Sequence, residues 1–255
     1  MAKHNHNNQT EDERLLSAPT EPESRKSSDS WRVFRIMGEF VEGFEKLSDL
    51  PPAVTVFGSA RDREGDGKMW YEKTVEMARH LGDAGYAVIT GGGPGLMEAA
   101  NRGANEAGAY SVGLNIELPF EQHINPYVDQ SVDFNYFFTR KVMLVKYAKA
   151  FVVMPGGFGT MDELFEALTL VQTGKIRNFP IVLFGIDYWS GLIDWLSSTM
   201  LAEGKISAED LDLLMLTDSP KDACDYIIAC TSTDNVREQL EESAREVTRK
   251  VVGRK

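Results

Sequence analysis

Three observations predict an α/β fold with a mainly parallel sheet and helices on both faces. Short apolar runs of β-type residues alternate along the chain with longer segments of helical periodicity. Three of those runs end in glycine-bearing turns: Gly58-Ser59, Gly91 to Gly95, and Gly156 to Gly159. The 255 residues, 42% of them hydrophobic, are enough for one large domain with a sizeable core. Right-handed crossovers bring the C-terminal ends of parallel strands to one sheet edge. The three turns therefore share an edge and enclose a single crevice at a switch point in strand order, the Rossmann-like, doubly wound arrangement.

Residues 1–28 are polar, with Pro19, Pro22 and several Ser, Asn and Glu, and read as a disordered tail. Residues 29–232 read as the single domain, and 233–255 as a polar C-terminal helix or tail. The domain opens with a helix over 30–48 whose apolar stripe (Trp31, Phe34, Met37, Phe40 or Val41, Phe44, Leu47) is expected on the core rather than on a partner. Strand 53–57, helix 68–84, strand 86–90, helix 94–107 and strand 110–116 follow. The segment 117–130 is irregular. Strand 132–137 and helix 138–149 lead into strand 150–154 and the helix opened by Thr160. Strand 180–184, helix 187–203, a short helix at 208–213, strand 214–217 and helix 220–230 complete the pattern.

Composition narrows the function. A net charge of −12 argues against a nucleic-acid partner, whose phosphates it repels, but allows a small anion at a local site. No apolar run approaches the ~18 residues of a membrane span, and residues 1–14 have no apolar signal core, so a cytoplasmic protein is expected. Cys224 and Cys230 are ~9 Å apart along one helix, too far for a disulfide. His4, His6, His80 and His123 show no metal-ligand spacing. A dinucleotide fingerprint starting at Gly91 needs a small residue where Leu96 stands, and Gly159 is followed by Thr160-Met161 rather than the Lys-Ser/Thr of a P-loop.

The stretch from Ala150 to Glu166 carries the chemistry. Its apolar run suits a strand buried on both faces, and Pro155 ends it. Gly156, Gly157 and Gly159 allow a tight turn and a close backbone approach to a ligand. A glycine turn opening a helix aims bare N–H groups and the positive end of the dipole at one spot, an anion site. Asp162 and Glu163 lie in the first turn. Thr160 to Glu163 fits a capping box, in which Glu163 bonds the Thr160 N–H. The alternative puts a carboxylate about one turn from bound phosphate, beside a sugar hydroxyl or an attacking water. Arg140-Lys141, near the start of the preceding helix, is at the dipole end that cations avoid. An exposed pair is one reading; the other has Arg140 reach the crevice to pair with phosphate, a ribose oxygen or Glu163.

GGGPGLMEAANRGA (91–104), FTRK (138–141) and PGGFGTMDE (155–163) together resemble the LOG (LONELY GUY) family of cytokinin-activating phosphoribohydrolases, over roughly residues 53–230. The signature PGGxGTxxE is met at Pro155, Gly156, Gly157, Gly159, Thr160 and Glu163, and the Arg-Lys ahead of it at Arg140-Lys141. Plant-type members carry GGGxxGLMG; this chain has one residue fewer, Glu98 after GLM and an extra N-terminal helix, which indicates a divergent bacterial-type branch. The resemblance implies hydrolysis of the N-glycosidic bond of AMP or an N6-substituted adenosine 5′-monophosphate to free base and ribose 5-phosphate. It implies Arg140 and Glu163 as catalytic residues. It further implies substrate binding by Gly58, Ser59, Gly92, Gly93, Met97, Lys141, Pro155, Gly156, Gly157, Gly159 and Thr160. No cofactor or metal is required, and a homodimer or larger homo-oligomer is expected. The label "lysine decarboxylase" often given to the family finds no support, because no lysine lies in any glycine turn to anchor pyridoxal. The competing reading is a non-catalytic nucleotide or molybdenum-cofactor carrier.

Overall fold

The structure, a computed structural model, describes residues 10–16, 22–65, 69–119 and 123–231; the expected C-terminal helix or tail (233–255) lies outside them. Seven parallel strands form one sheet in the order β4-β3-β2-β1-β5-β6-β7. They are β1 (Ala53–Phe57), β2 (Ala87–Thr90), β3 (Ser111–Ile116), β4 (Gln130–Phe134), β5 (Ala148–Val153), β6 (Ile181–Phe184) and β7 (Leu214–Thr217). The chain builds outward from β1 to β4, then returns to the other side of β1 to place β5. The switch point therefore lies between β1 and β5, as the alternation of elements predicts.

Alternate residues of each central strand feed opposite layers. Val54 and Val56 join Met77, Ala78 and Leu81 of α3 (Trp70–Asp83), with Leu96, Ala100 and Ala104 of α4 (Leu96–Glu106) and Ile227 of α9 (Pro220–Thr231). Ala53 and Phe57 join Met143 and Leu144 of α5 (Phe137–Lys146), with Leu164 of α6 (Phe158–Gln172) and Trp189 of α7 (Ile186–Trp195). Beyond Trp195 the helix continues as a π-helical stretch, Leu196–Leu201, before the short α8 (Ala208–Leu211). The helices α3 and α4 pack very closely: a Cβ on Gly103 would lie 2.2 Å from the Val75 carbonyl oxygen. Among the described residues no helix is long and apolar enough to cross a membrane.

Two expectations about the N-terminal region change. Within the stretch expected to be disordered, Glu11–Leu16 forms a helix (α1), and α2 runs from Pro22 to Lys46. Thr10 Oγ1 accepts from the Glu13 N–H at 3.2 Å and three acids crowd the first turn, so α1 is well capped. Proline is also tolerated at a helix start, where its missing N–H costs nothing. Of the expected apolar stripe, only Phe40 and Leu47 face the core. Trp31, Phe34, Met37, Val41 and Phe44 are exposed; contact with the body runs through Glu39, Phe40, Gly43 and Leu47. Gly43 decides this, since a Cβ there would lie 2.9 Å from Met143 Cε: the glycine lets α2 seat on α5 by its small-residue edge.

Candidate active site

The three glycine turns meet, and backbone hydrogen bonds stitch them together. The Met154 N–H donates to Phe57 O (2.8 Å), the Ser59 N–H to Pro155 O (2.9 Å) and the Leu96 N–H to Ser59 O (2.9 Å). Gly95 has φ +74, and a Cβ on it would lie 2.4 Å from Ser59 O, so the second turn closes on the first only with glycine there. The result is one crevice of about 740 Å³ at the C-terminal ends of β1, β2 and β5. Gly58, Ser59, Gly93, Met97, Arg140, Gly156, Gly157, Gly159, Thr160 and Glu163 all line it. Three expected members do not. Gly92 backs onto Gly113, Pro155 is buried behind the turn, and Lys141 turns outward to Asp162 (2.8 Å) and Glu166 (3.7 Å).

The α6 helix begins at Phe158, two residues before the expected Thr160, with Gly157 as its N-cap. Its first internal bond runs from the Met161 N–H to Gly157 O (3.0 Å). By position, the N–H groups of Phe158, Gly159 and Thr160 have no intrahelical acceptor and lie at the positive dipole end. The first turn then contains no acid, and no side chain caps it. Gly156 is required for packing: a Cβ there would lie 2.1 Å from Thr160 Oγ1. Its carbonyl accepts from the Tyr188 hydroxyl at 2.6 Å.

The capping-box reading of Glu163 does not hold. Starting the helix at Phe158 moves Glu163 into its second turn, where it is 3% exposed and turned into the crevice. Its Oε1 lies 3.9 Å from Arg140 Nη2, a distant ion pair. Glu163 Oε2 and Arg140 Nε are buried and lack hydrogen-bond partners. Burial pushes the Glu163 carboxyl up to about 7, against the pull of Arg140 and Lys141. Burial also pushes Arg140 down, countered by Glu163, but a guanidinium keeps its proton. Two buried polar groups thus face a glycine-lined, apolar-walled space with hydrogen-bonding capacity unused.

Helix α5, which carries Arg140, is held by groups that the sequence motifs do not reveal. Glu39 of α2 is buried; its Oε1 accepts from the Asn135 N–H (2.9 Å) and side-chain amide (2.8 Å), and its Oε2 from the Thr139 hydroxyl (2.6 Å). From α1, Asp12 accepts from the Phe137 N–H (3.1 Å) and Glu11 from the Tyr136 hydroxyl (3.3 Å). The available signal for Glu39 is an acid breaking an apolar stripe between Met37 and Phe40. Phe137, Leu118, Arg61 and Tyr188 also line the crevice from loops or helix starts that carry no motif.

Fold and crevice define an open α/β protein with a crevice at its switch point and a buried Arg–Glu pair beside a helix N-terminus. Residues 97–227 match the family described as "Possible lysine decarboxylase", yet among the described residues no lysine lines the crevice. A cytokinin riboside 5′-monophosphate phosphoribohydrolase of Mycobacterium tuberculosis is 31% identical over 162 residues, covering 60% of this chain and 84% of that protein. The LOG protein of Oryza sativa, with the same activity in its name, is 30% identical over 133 residues, 51% of this chain and 53% of its own length. Among solved structures, the molybdenum cofactor carrier protein of Chlamydomonas reinhardtii superposes with a TM-score of 0.52 at 21% identity, over 70% of this chain and 97% of that one, and so shares the fold. The chain belongs to the LOG family.

Proposed function

We propose that the protein hydrolyses the N-glycosidic bond of AMP or of N6-substituted adenosine 5′-monophosphates, releasing free base and ribose 5-phosphate. The observation that carries this reading is the buried Arg140–Glu163 pair, with unpartnered polar atoms, lining the same crevice as the free N–H groups of α6. The 5′-phosphate binds the N–H groups at Gly157 to Thr160, and this remote binding holds the sugar over Glu163. The C1′–N9 bond breaks through an oxocarbenium-like sugar, and its electron pair leaves with the base. The Glu163 carboxylate stabilises the developing positive charge. Water adds its oxygen to C1′ and gives a proton to Glu163, whose carboxyl, poised near 7, returns it to the departing base. Arg140 orients Glu163 and the sugar and acts by charge rather than by proton transfer. Apolar side chains including Phe137, Leu118 and Ile116 supply a wall for the base. The exposed stripe of α2 supports a homodimer or larger homo-oligomer, and the −12 charge supports a protein without a nucleic-acid partner.

The deciding experiment incubates the protein with AMP and with isopentenyladenosine 5′-monophosphate and follows free base by chromatography. Release of base together with ribose 5-phosphate is expected. Tight binding with no base released from either nucleotide would replace this reading with that of a carrier.

A further inference from the structure

Resting on that functional reading, we infer that Asn125 is a positioning residue: it turns the Gly92–Gly93 peptide so that the Gly93 N–H faces the crevice as a donor to the sugar phosphate. Asn125 comes from the irregular segment after β3, is 6% exposed, and does not line the crevice. Its backbone N–H donates to Gly92 O (2.9 Å), and its side-chain amide donates to Gly92 O and Gly93 O (3.1 Å each). The amide is itself held. Its two hydrogens are shared among these two carbonyls and Asn101 Oδ1 (2.9 Å), and its own oxygen accepts from the Tyr127 N–H (3.2 Å). Asn101, fully buried on α4, also accepts from Thr90 Oγ1 (2.6 Å) and donates to Ser111 Oγ (2.8 Å). The network is satisfied throughout and ends on two carbonyls of a turn.

A trans peptide sets C=O and N–H on opposite sides of one plane. With Gly92 O drawn toward Asn125, behind the turn, the Gly93 N–H points the other way, to the side that lines the crevice. The neighbouring donor is spent, since the Gly92 N–H bonds Thr90 Oγ1 (2.9 Å), and Pro94 has no N–H. Of residues 92 to 94, the Gly93 N–H is therefore the donor left for a ligand. The space is tight: a Cβ on Gly93 would lie 2.8 Å from Met97 Cε, and one on Gly91 would lie 3.7 Å from Arg140 Nη1. Gly91, two residues before the donor, thus borders Arg140 in the crevice wall. A charge-assisted bond from it to the sugar phosphate strengthens binding by about tenfold or more.

The test measures Kd by calorimetry on Glu163→Gln, which stops turnover, with and without Asn125→Ala. The Kd values for AMP and for ribose 5-phosphate are expected to rise together by about tenfold, because the acceptor belongs to the part the two ligands share. Unchanged affinity with a lowered Tm makes Asn125 a purely structural residue and overturns the inference. If Glu163→Gln alone binds neither ligand, the functional reading fails and this inference with it. Should Asn125→Ala not fold, the intact protein decides by NMR. The Gly93 amide resonance is expected to move on saturation with ribose 5-phosphate, and a Gly93 amide that stays in place overturns the inference.

Discussion

Glu163 is the residue at which stability and activity part. Its carboxyl titrates near 7 in the folded protein against an ordinary 4.5, so the native state binds more protons than the unfolded chain between those values. Stability therefore falls as pH rises from about 4.5 to 7, and above 7 the ionised group costs of order 3 kcal/mol. Glu163→Gln removes that cost: its Tm is expected to exceed that of the parent at pH 8 and to match it near pH 4, as calorimetry can check. Activity moves the other way. Glu163→Gln is expected to lower kcat for AMP by about 100-fold or more, with Kd nearly unchanged. The kcat/KM profile of the parent is expected to rise with pH to an inflection near 7 that the variant lacks; titration of the AMP phosphate near ~6 stays in both. Normal turnover in Glu163→Gln would sink its catalytic role.

Elements, rather than single residues, carry the phosphate site and its support. The start of α6 offers N–H groups to an anion, so AMP is expected to be cut at least ~10-fold faster than adenosine. Equal rates would refute the phosphate assignment. Helix α2 supports α5 through Glu39. Glu39→Ala leaves the Asn135 N–H and side-chain amide without their acceptor, while the Thr139 hydroxyl keeps Tyr136 O (2.8 Å), with an expected loss of about 1–3 kcal/mol in chemical denaturation and a fall in kcat as Arg140 loosens. The turns, strands and most helices were legible because glycine turns and apolar periodicity are local signals. The start of α6 was less so: Thr160–Glu163 imitates a cap, and only the packing of Thr160 under Gly156 shows that the helix has already begun. The inward edge of α2 was only partly legible, since Glu39 and Gly43 share it with Phe40 and Leu47 while Trp31, Phe34, Met37, Val41 and Phe44 face outward. Lys141 was read as a site residue through the Arg-Lys of the family resemblance, yet successive helix positions point in different directions and Lys141 meets Asp162 instead.

For the whole molecule, the exposed face of α2 is the main unsettled surface. Trp31, Phe34, Met37, Val41 and Phe44 lie along one side of a helix and leave an apolar strip open. A mass of at least twice 28.4 kDa is expected in light scattering, falling to the monomer when Trp31 and Phe34 are both changed to Ser. A fully active monomer would count against the assembly reading. The acidic surface acts at the same scale. It repels anions in bulk, so capture of a nucleotide depends on the local donors of the crevice, and the rate of capture is expected to rise with added salt as that repulsion is screened.

The close contact of α3 and α4 at Gly103 has a mechanical consequence. Helix α4 behaves as a lever whose fulcrum is that contact and whose tip, ~10 Å away along the axis, is the residue that closes the second glycine turn. A Cβ at the fulcrum would lie 2.2 Å from the Val75 carbonyl oxygen, well inside van der Waals contact, so α3 and α4 must part there. Gly103→Ala is thus expected to raise KM for AMP although it touches no ligand atom, and steady-state kinetics beside an unchanged circular dichroism spectrum would show it.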